Sequence, residues 1–243
     1  MLLFVSTLYL PETNRYMLIA KNHRYRTVLR SILSDKVVLL YAFIVGSFNG
    51  MMFGFYLEAP FIFIKHFNFT PSSYGKLGLF LTSSYLLGGL INHYLVGKYV
   101  DNKKIVTAGL YLSLCSCSML FLGLWFMPEN CSRLVIILII FIPMMIHIIG
   151  HNLVIPIILR YALENYSKVT GTAGSIFGSM YYSLVAIINY TISYIHNDSV
   201  LPFAGLFLIL SVLSFLAFNL VQRYGSDSFS VAPENIDLDN SKN

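Results

Sequence analysis

Two histidines four residues apart carry the spacing closest to a catalytic motif in this sequence of 243 residues. His147 and His151 match the zinc ligands of an H-E-x-x-H protease, but Ile148 stands where the general-base glutamate is required. With no third ligand and no P-loop, we expect no catalytic residue, metal or cofactor. Both rings share a helix face, and Asn152 adjoins it. We predict that the three polar side chains line a cavity, with interhelical hydrogen bonds as the alternative.

A second group of polar and aromatic side chains lies on one face of an earlier apolar segment. Asn49, Phe53 and Tyr56 recur at helical spacing and predict a further part of a substrate cavity. Glu58 follows at the outer end of the segment and is the one carboxylate at or near the depth of a span. A buried carboxylate there would be a candidate for proton coupling, whereas one at the headgroup level would stay ionised.

Glycines recur at the spacing that lets membrane helices approach closely. The two stripes are Gly46, Gly50 and Gly54 in one segment and Gly174 and Gly178 in another. Tyr182 and Asn189 continue the second stripe and are predicted to line the cavity. Pro143 and Pro156 favour kinks in the segment that holds the two histidines. Close contacts and kinked helices are typical of bundles that rock between conformations.

The elements that position these residues must be stable in a lipid bilayer. Hydrophobic residues make up 56% of the chain, charged residues only 11%, and the mean hydropathy is +0.69. A soluble domain carries about 25% charged residues. Six uncharged runs of at least 21 residues are each long enough to cross roughly 30 Å of hydrocarbon as a helix. The runs are 37–57, 77–97, 105–128, 134–159, 169–195 and 199–222. We therefore predict an all-α polytopic membrane protein with six transmembrane helices.

Basic residues divide unequally between the two sides of such a bundle. Thirteen of the 16 Lys and Arg residues lie on the side that carries both chain ends, which the positive-inside rule makes cytoplasmic. The net charge of +5 is then a topology signal, and no nucleic-acid partner is expected. We predict four parts: a helix remnant (1–13), a basic cytoplasmic linker (14–36), the six-helix bundle (37–222) and a disordered cytoplasmic tail (223–243). The linker would be solvated or would rest on anionic headgroups.

Short motifs occur in a characteristic order along the chain. Residues 10–13 are L-P-E-T after an apolar run, residues 53–62 form an aromatic stretch with P-F near its end, and residues 171–175 are G-T-A-G-S. Asn152 precedes a short loop, and Gly97 with Asp101 keeps part of a loop signature that Asn102 and Lys104 depart from. This order resembles the C-terminal half of a major facilitator superfamily transporter. Within the superfamily it is similar to the bicyclomycin-resistance (Bcr/CflA) branch of drug:proton antiporters.

The resemblance implies twelve helices in two halves, with a substrate cavity between them and proton-driven export of drugs or small molecules. It also implies an N-terminal half that is encoded separately or lost, with self-association of this half as a further alternative. Three hypotheses stay open: a half-transporter that needs the missing half, a truncated fragment that does not transport, and a membrane protein that binds a cofactor or metal through its histidines. The expected surroundings are a lipid bilayer, the bacterial inner membrane, and a small-molecule substrate.

Overall fold

The computed structural model describes residues 25–98, 100–127, 132–195 and 200–224, which are almost entirely helical. The α-helices in these ranges are α1 (Tyr25–Ser34), α2 (Lys36–Pro60), α3 (Pro71–Gly97), α4 (Asn102–Trp125), α5 (Arg133–Glu164), α6 (Thr170–Ile195) and α7 (Leu201–Tyr224). A π-helical turn, Phe61–His66, continues α2, and a short 3-10 helix, Ser167–Val169, precedes α6.

The helices α2 to α7 are long and apolar enough to cross a membrane, and the shortest has 24 residues. Such a helix is about 36 Å long, which exceeds the hydrocarbon thickness of a bilayer. The prediction of an all-α fold with six spanning helices is therefore confirmed. The predicted helix remnant at 1–13 lies outside the described residues. The predicted disordered tail at 223–243 begins two residues too early, because Arg223 and Tyr224 belong to α7, and the rest of it lies outside the described residues.

Polar side chains at the helix starts accept hydrogen bonds from backbone N–H groups that have no partner inside the helix. The capping residues are Asp35 for α2, Thr70 for α3, Asp101 for α4 and Ser132 for α5. Asp101 accepts from the backbone N–H of Lys103 at 3.0 Å. The loop-signature residue Asp101 thus fixes the point at which α4 begins, and Gly97 is the last residue of α3.

The core of the bundle lies around α2 and α5. Helix α5 packs against α4, α3 and α2. Helix α2 packs mainly against α6 and α7, and α7 also packs against α4. The side chains of Phe48, Met51 and Phe55 of α2 are fully buried. Helices α3 and α6 make no extensive contact with each other within the described residues. They therefore stand at two edges of the bundle, with much of their surface exposed.

Glycines in α2 set its distance from α6. The stripe of Gly46, Gly50 and Gly54 lies against Leu184, Ile188 and Ile192 of α6, in that order. A Cβ atom built on Gly50 would lie 2.6 Å from Cδ1 of Ile188. The three glycines therefore form a groove that isoleucine and leucine side chains of α6 fill, as the small-residue spacing predicts.

The second stripe does not mediate a close helix contact among the described residues. A Cβ atom on Gly174 would meet only Leu163 Cδ1, at 3.8 Å, and one on Gly178 would meet nothing within 4 Å. The buried face of α6 is instead formed by residues such as Ala173 and Phe177. The prediction that Gly178 packs against a neighbouring helix is thus not met within this part of the chain.

Part of the predicted linker is an amphipathic helix that docks on the bundle. Helix α1 packs against α6 and α2 and buries Val28 and Ile32, four residues apart on one face. Ser31 shares a hydrogen bond of 3.3 Å with the hydroxyl of Tyr166, in the connection between α5 and α6. Burial raises the pKa of Tyr166, so this hydroxyl keeps its proton. Arg26 and Arg30 of α1 are exposed.

Replacing Ile32 with aspartate is expected to release α1 from the bundle without unfolding α2 to α7. Ile32 is fully buried, so the new carboxylate would be desolvated, whereas the neighbouring Leu33 is 50% exposed. Amide hydrogen exchange should show loss of protection over residues 25–34 in Ile32→Asp and unchanged protection in the control Leu33→Asp. Equal protection in both variants would contradict the docked position of α1.

Candidate functional site

His147 lies inside the bundle. Its side chain is 1% exposed, and Nδ1 shares a hydrogen bond of 2.9 Å with the hydroxyl of Ser113 on α4. The ring stacks on Phe48 of α2 with centroids 5.4 Å apart. Its Nε2 atom is buried and has no hydrogen-bond partner in the described part of the chain. Of the two interpretations of the histidine pair, this contact of His147 corresponds to the interhelical hydrogen bond, because α4 covers this part of its helix face.

His151 lies one turn further along α5, between two aromatic rings. The centroid of its ring is 6.3 Å from that of Phe48 and 6.0 Å from that of Tyr85 on α3, which meets it edge-on. Both ring nitrogens are buried without a hydrogen-bond partner among the described residues. The hydroxyl of Tyr85 in turn lies near that of Tyr56 on α2. We name these residues the aromatic–histidine cluster: Phe48, Tyr56, Tyr85, His147 and His151.

The predicted aromatic face of α2 is accessible. Phe53 is 47% and Tyr56 41% exposed, while Asn49 is partly buried and donates its side-chain N–H to the carbonyl of Val45. Tyr56 connects this open face to the aromatic–histidine cluster through its contact with Tyr85. The arrangement offers flat aromatic surface and a few hydroxyl and amide groups, which suits an amphipathic molecule better than a strongly charged one.

Asn152 serves the packing of α5 against α3. Its side-chain N–H donates to the carbonyl of Ile148, and its own backbone carbonyl accepts a hydrogen bond from the side chain of Asn92. Pro156, four residues later, has no N–H, so the carbonyl of Asn152 lacks its helical partner. Asn92 supplies the missing donor. Gly88 makes this possible, because a Cβ atom there would lie 2.9 Å from Cβ of Asn152.

The cavity candidates of α6 divide between the surface and the interior. Tyr182 is 55% exposed, and the centroid of its ring lies 4.4 Å from that of the Tyr181 ring. The Oδ1 atom of Asn189 is buried beside Gly54 and has no hydrogen-bond partner among the described residues. Tyr182 therefore belongs to the exposed edge of the bundle, while Asn189 lies in the contact between α2 and α6.

Glu58 is buried at the end of α2, with 6% of its surface exposed. The helix continues past it to Pro60 and into the π-helical turn. A group of three or more His, Cys, Asp or Glu side chains that could hold a metal ion does not occur in the described ranges. The histidine pair, with one ring nitrogen of His147 engaged by Ser113, does not form such a group.

Several residues of the site were not anticipated from the sequence. Tyr85, Ser113 and Asn92 each join two helices, and their partners are distant along the chain. Asn92 could have been identified from the sequence, because an amide side chain in an apolar segment requires a hydrogen-bond partner. Pro156 could have been identified as well, because it leaves the carbonyl four residues earlier without its helical donor. Tyr85 and Ser113 had no comparable signal in the sequence.

The bundle defines an integral membrane protein with polytopic α-helical architecture, and sequence comparison gives its family. The model of the Major Facilitator Superfamily matches residues 1–190, so the chain belongs to this family, whose members are transporters and not enzymes.

The chain is similar to an uncharacterized transporter of Rickettsia bellii (strain RML369-C), with 46% identity over 86% of this chain and 52% of the relative. An uncharacterized transporter of Rickettsia felis (strain ATCC VR-1525 / URRWXCal2) is 45% identical, again over 86% of this chain and 52% of the relative. An uncharacterized protein of Rickettsia conorii (strain ATCC VR-613 / Malish 7) is 54% identical over 31% of this chain and 62% of its own length. The chain thus spans about half the length of the two transporters that it matches. No solved structure matches the chain.

Proposed function

We propose that this chain forms one half of a transporter that moves small amphipathic molecules across a membrane by alternating access. The observation that carries the proposal is the open face of α2, where Phe53 and Tyr56 are exposed although the opposite face of the same helix holds the core. A spanning helix with an exposed aromatic and polar face requires a cavity or a partner on that side. The remaining half of the Rickettsia relatives would supply the opposite wall.

The class of substrate follows from the lining of this face. Aromatic rings with few polar groups bind flat, weakly polar compounds with little discrimination, as drug exporters do. The resemblance to the Bcr/CflA branch supports export, and the unequal distribution of basic residues supports a cytoplasmic position of the chain ends in a bacterial inner membrane. The proposed partner is a second six-helix half of the same family, which corresponds to the N-terminal half.

Proton coupling is the energetic part of the proposal. Glu58 is the candidate carrier because it is buried at the end of the helix that bears the open face. In a fusion with the second half, Glu58→Gln would abolish accumulation against a gradient and leave downhill exchange intact. A fusion that is equally active with glutamine at this position would remove Glu58 from the coupling mechanism.

The transport proposal is tested by joining this chain to the part of the Rickettsia bellii transporter that it does not match. In an efflux-deficient bacterial strain, this fusion is expected to lower the accumulation of fluorescent amphipathic cations and to raise resistance to them. Phe53→Ala should reduce the rate about fivefold, because an aromatic contact contributes about 1 kcal/mol. Leu213→Ala on α7, with similar exposure, is the matched control.

The intact Rickettsia relative is the positive control for this assay. If it transports the compounds and the fusion does not, this chain is a fragment without transport activity, which is the alternative to a half-transporter. Equal effects of Phe53→Ala and Leu213→Ala would show that the open face of α2 does not contact the substrate.

A further inference from the structure

A cavity of about 360 Å³ with both apolar and polar lining residues lies between α3 and α5, at the end of the bundle where α4 begins. Its lining includes Gly89, Asn92 and His93 of α3, Asn102 of α4, and Arg160 of α5. Its volume falls in the range of small-ligand sites, which is about 300–1,000 Å³. The cavity is separate from the open face of α2, because no residue of α2 lines it.

The cavity exists because two neighbouring glycines of α3 have different surroundings. Gly88 brings α3 into contact with α5, since a Cβ atom there would lie 3.1 Å from the Cα atom of Ile149. A Cβ atom on Gly89 would meet nothing within 4 Å. The hydrogen bond from Asn92 to the carbonyl of Asn152 fixes the two helices beside this opening. The space is thus held by a rigid helix contact and left unfilled by the absence of a side chain on Gly89.

The lining includes the positively charged side chain of Arg160 and the imidazole of His93, and it has no acidic side chain. Arg160 is exposed and, in the part of the chain that the structure describes, forms no ion pair or hydrogen bond. His93 is likewise exposed and without such a partner there. The carboxylate of Asp101 is close in sequence but accepts from the backbone N–H of Lys103, and it is not part of the lining. A guanidinium and an imidazole therefore border this cavity, and none of its lining residues in the described part of the chain is acidic.

We propose that this cavity binds a phosphate group, with Arg160 as the principal donor and His93 as the second. Guanidinium groups match the geometry of phosphate oxygens, and basic pockets between membrane helices bind lipid headgroups. The phosphate would come from an anionic phospholipid or from the free anion. The phospholipid fits better, because Leu90 and Tyr94 of α3 are 65% and 57% exposed beside the cavity and would contact acyl chains.

Native mass spectrometry of the full chain, titrated with phosphatidylglycerol and separately with phosphatidylcholine, tests the proposal. Arg160→Gln removes the charge, and Gly89→Leu fills the cavity without changing any charge. Arg160→Gln is expected to weaken phosphatidylglycerol binding about tenfold, as the loss of a charge-assisted hydrogen bond predicts. Gly89→Leu is expected to weaken the same binding by occupying the space, and both variants should leave phosphatidylcholine binding unchanged. The matched controls are Arg223→Gln, which removes a basic residue at the end of α7, and Gly78→Leu, which fills open space elsewhere on α3.

A second arm measures the binding of inorganic phosphate to the same variants by phosphorus NMR. Weakened phosphate binding with unchanged lipid binding would support the cavity and assign it to the free anion. Unchanged binding of both ligands in Arg160→Gln and Gly89→Leu would overturn the proposal. Losses of the same size in the two control variants would also overturn it, because they would show a response to surface charge or helix packing in general.

Discussion

Replacing Gly150 with leucine is expected to separate α4 from α5 and to lower the free energy of unfolding by about 3 kcal/mol. A Cβ atom at this position would lie 2.7 Å from the carbonyl oxygen of Gly109 and 3.3 Å from the backbone nitrogen of Ser113. Both are backbone atoms, so the overlap cannot be relieved by rotation of a side chain. Separation of the helices would also break the hydrogen bond between Ser113 and His147. Unfolding of the purified protein in detergent, followed by circular dichroism, measures this loss.

The control for this variant is Gly78→Leu on α3. A Cβ atom on Gly78 meets nothing within 4 Å, and leucine favours a helix over glycine, so this variant should be unchanged or more stable by up to about 1 kcal/mol. A loss of stability of the same size in both variants would contradict the close crossing of α4 and α5 at Gly109 and Gly150.

Replacing Asn92 with leucine is expected to cost about 2 kcal/mol, because it leaves the carbonyl of Asn152 without a donor in the interior of the bundle. Leucine has the same branched arrangement of side-chain heavy atoms as asparagine, so the change removes the hydrogen bond while keeping the shape of the side chain. The carbonyl of Asn152 needs this bond because Pro156 has no N–H to donate to it. Equilibrium unfolding of the single variant measures the cost.

A double-mutant cycle with Pro156→Ala isolates this dependence. Alanine at position 156 supplies the backbone N–H, so Asn92→Leu should cost less than about 0.5 kcal/mol in the Pro156→Ala background. An unchanged cost in that background would show that Asn92 stabilises the bundle in some other way.

The number of spanning helices could be predicted from the sequence because lipid imposes one requirement on every span, the internal pairing of its backbone hydrogen bonds. The boundaries of the spanning helices could be predicted less accurately than their number. The first uncharged run ends before Glu58, yet α2 continues to Pro60. The helix continues because a buried glutamate side chain does not interrupt the backbone hydrogen bonds. Helix α5 likewise continues past Arg160 to Glu164, because a charged side chain at a helix end does not interrupt backbone hydrogen bonding.

The candidate site was less predictable, because periodicity gives the face of a helix but not the neighbour of that face. The spacing of Asn49, Phe53 and Tyr56 indicates a shared face, and the structure leaves Phe53 and Tyr56 exposed. The spacing of His147 and His151 indicates one face as well, but α4 covers His147 whereas aromatic rings of α2 and α3 surround His151. These differences arise from tertiary packing.

The central claim, that the open face of α2 lines a water-filled cavity between two transporter halves, is tested most directly by cysteine labelling. In a cysteine-free background of the fusion with the unmatched half of the Rickettsia bellii transporter, a membrane-impermeant thiosulfonate is applied to Tyr56→Cys and to Leu213→Cys. The two positions have similar exposure, 41% and 43%, but Leu213 belongs to an apolar face of α7. Only thiolates that reach water react with this reagent.

We predict rapid labelling of Tyr56→Cys that a transported compound slows, and no labelling of Leu213→Cys. Absence of labelling at both positions, or equal labelling at both, would contradict the account.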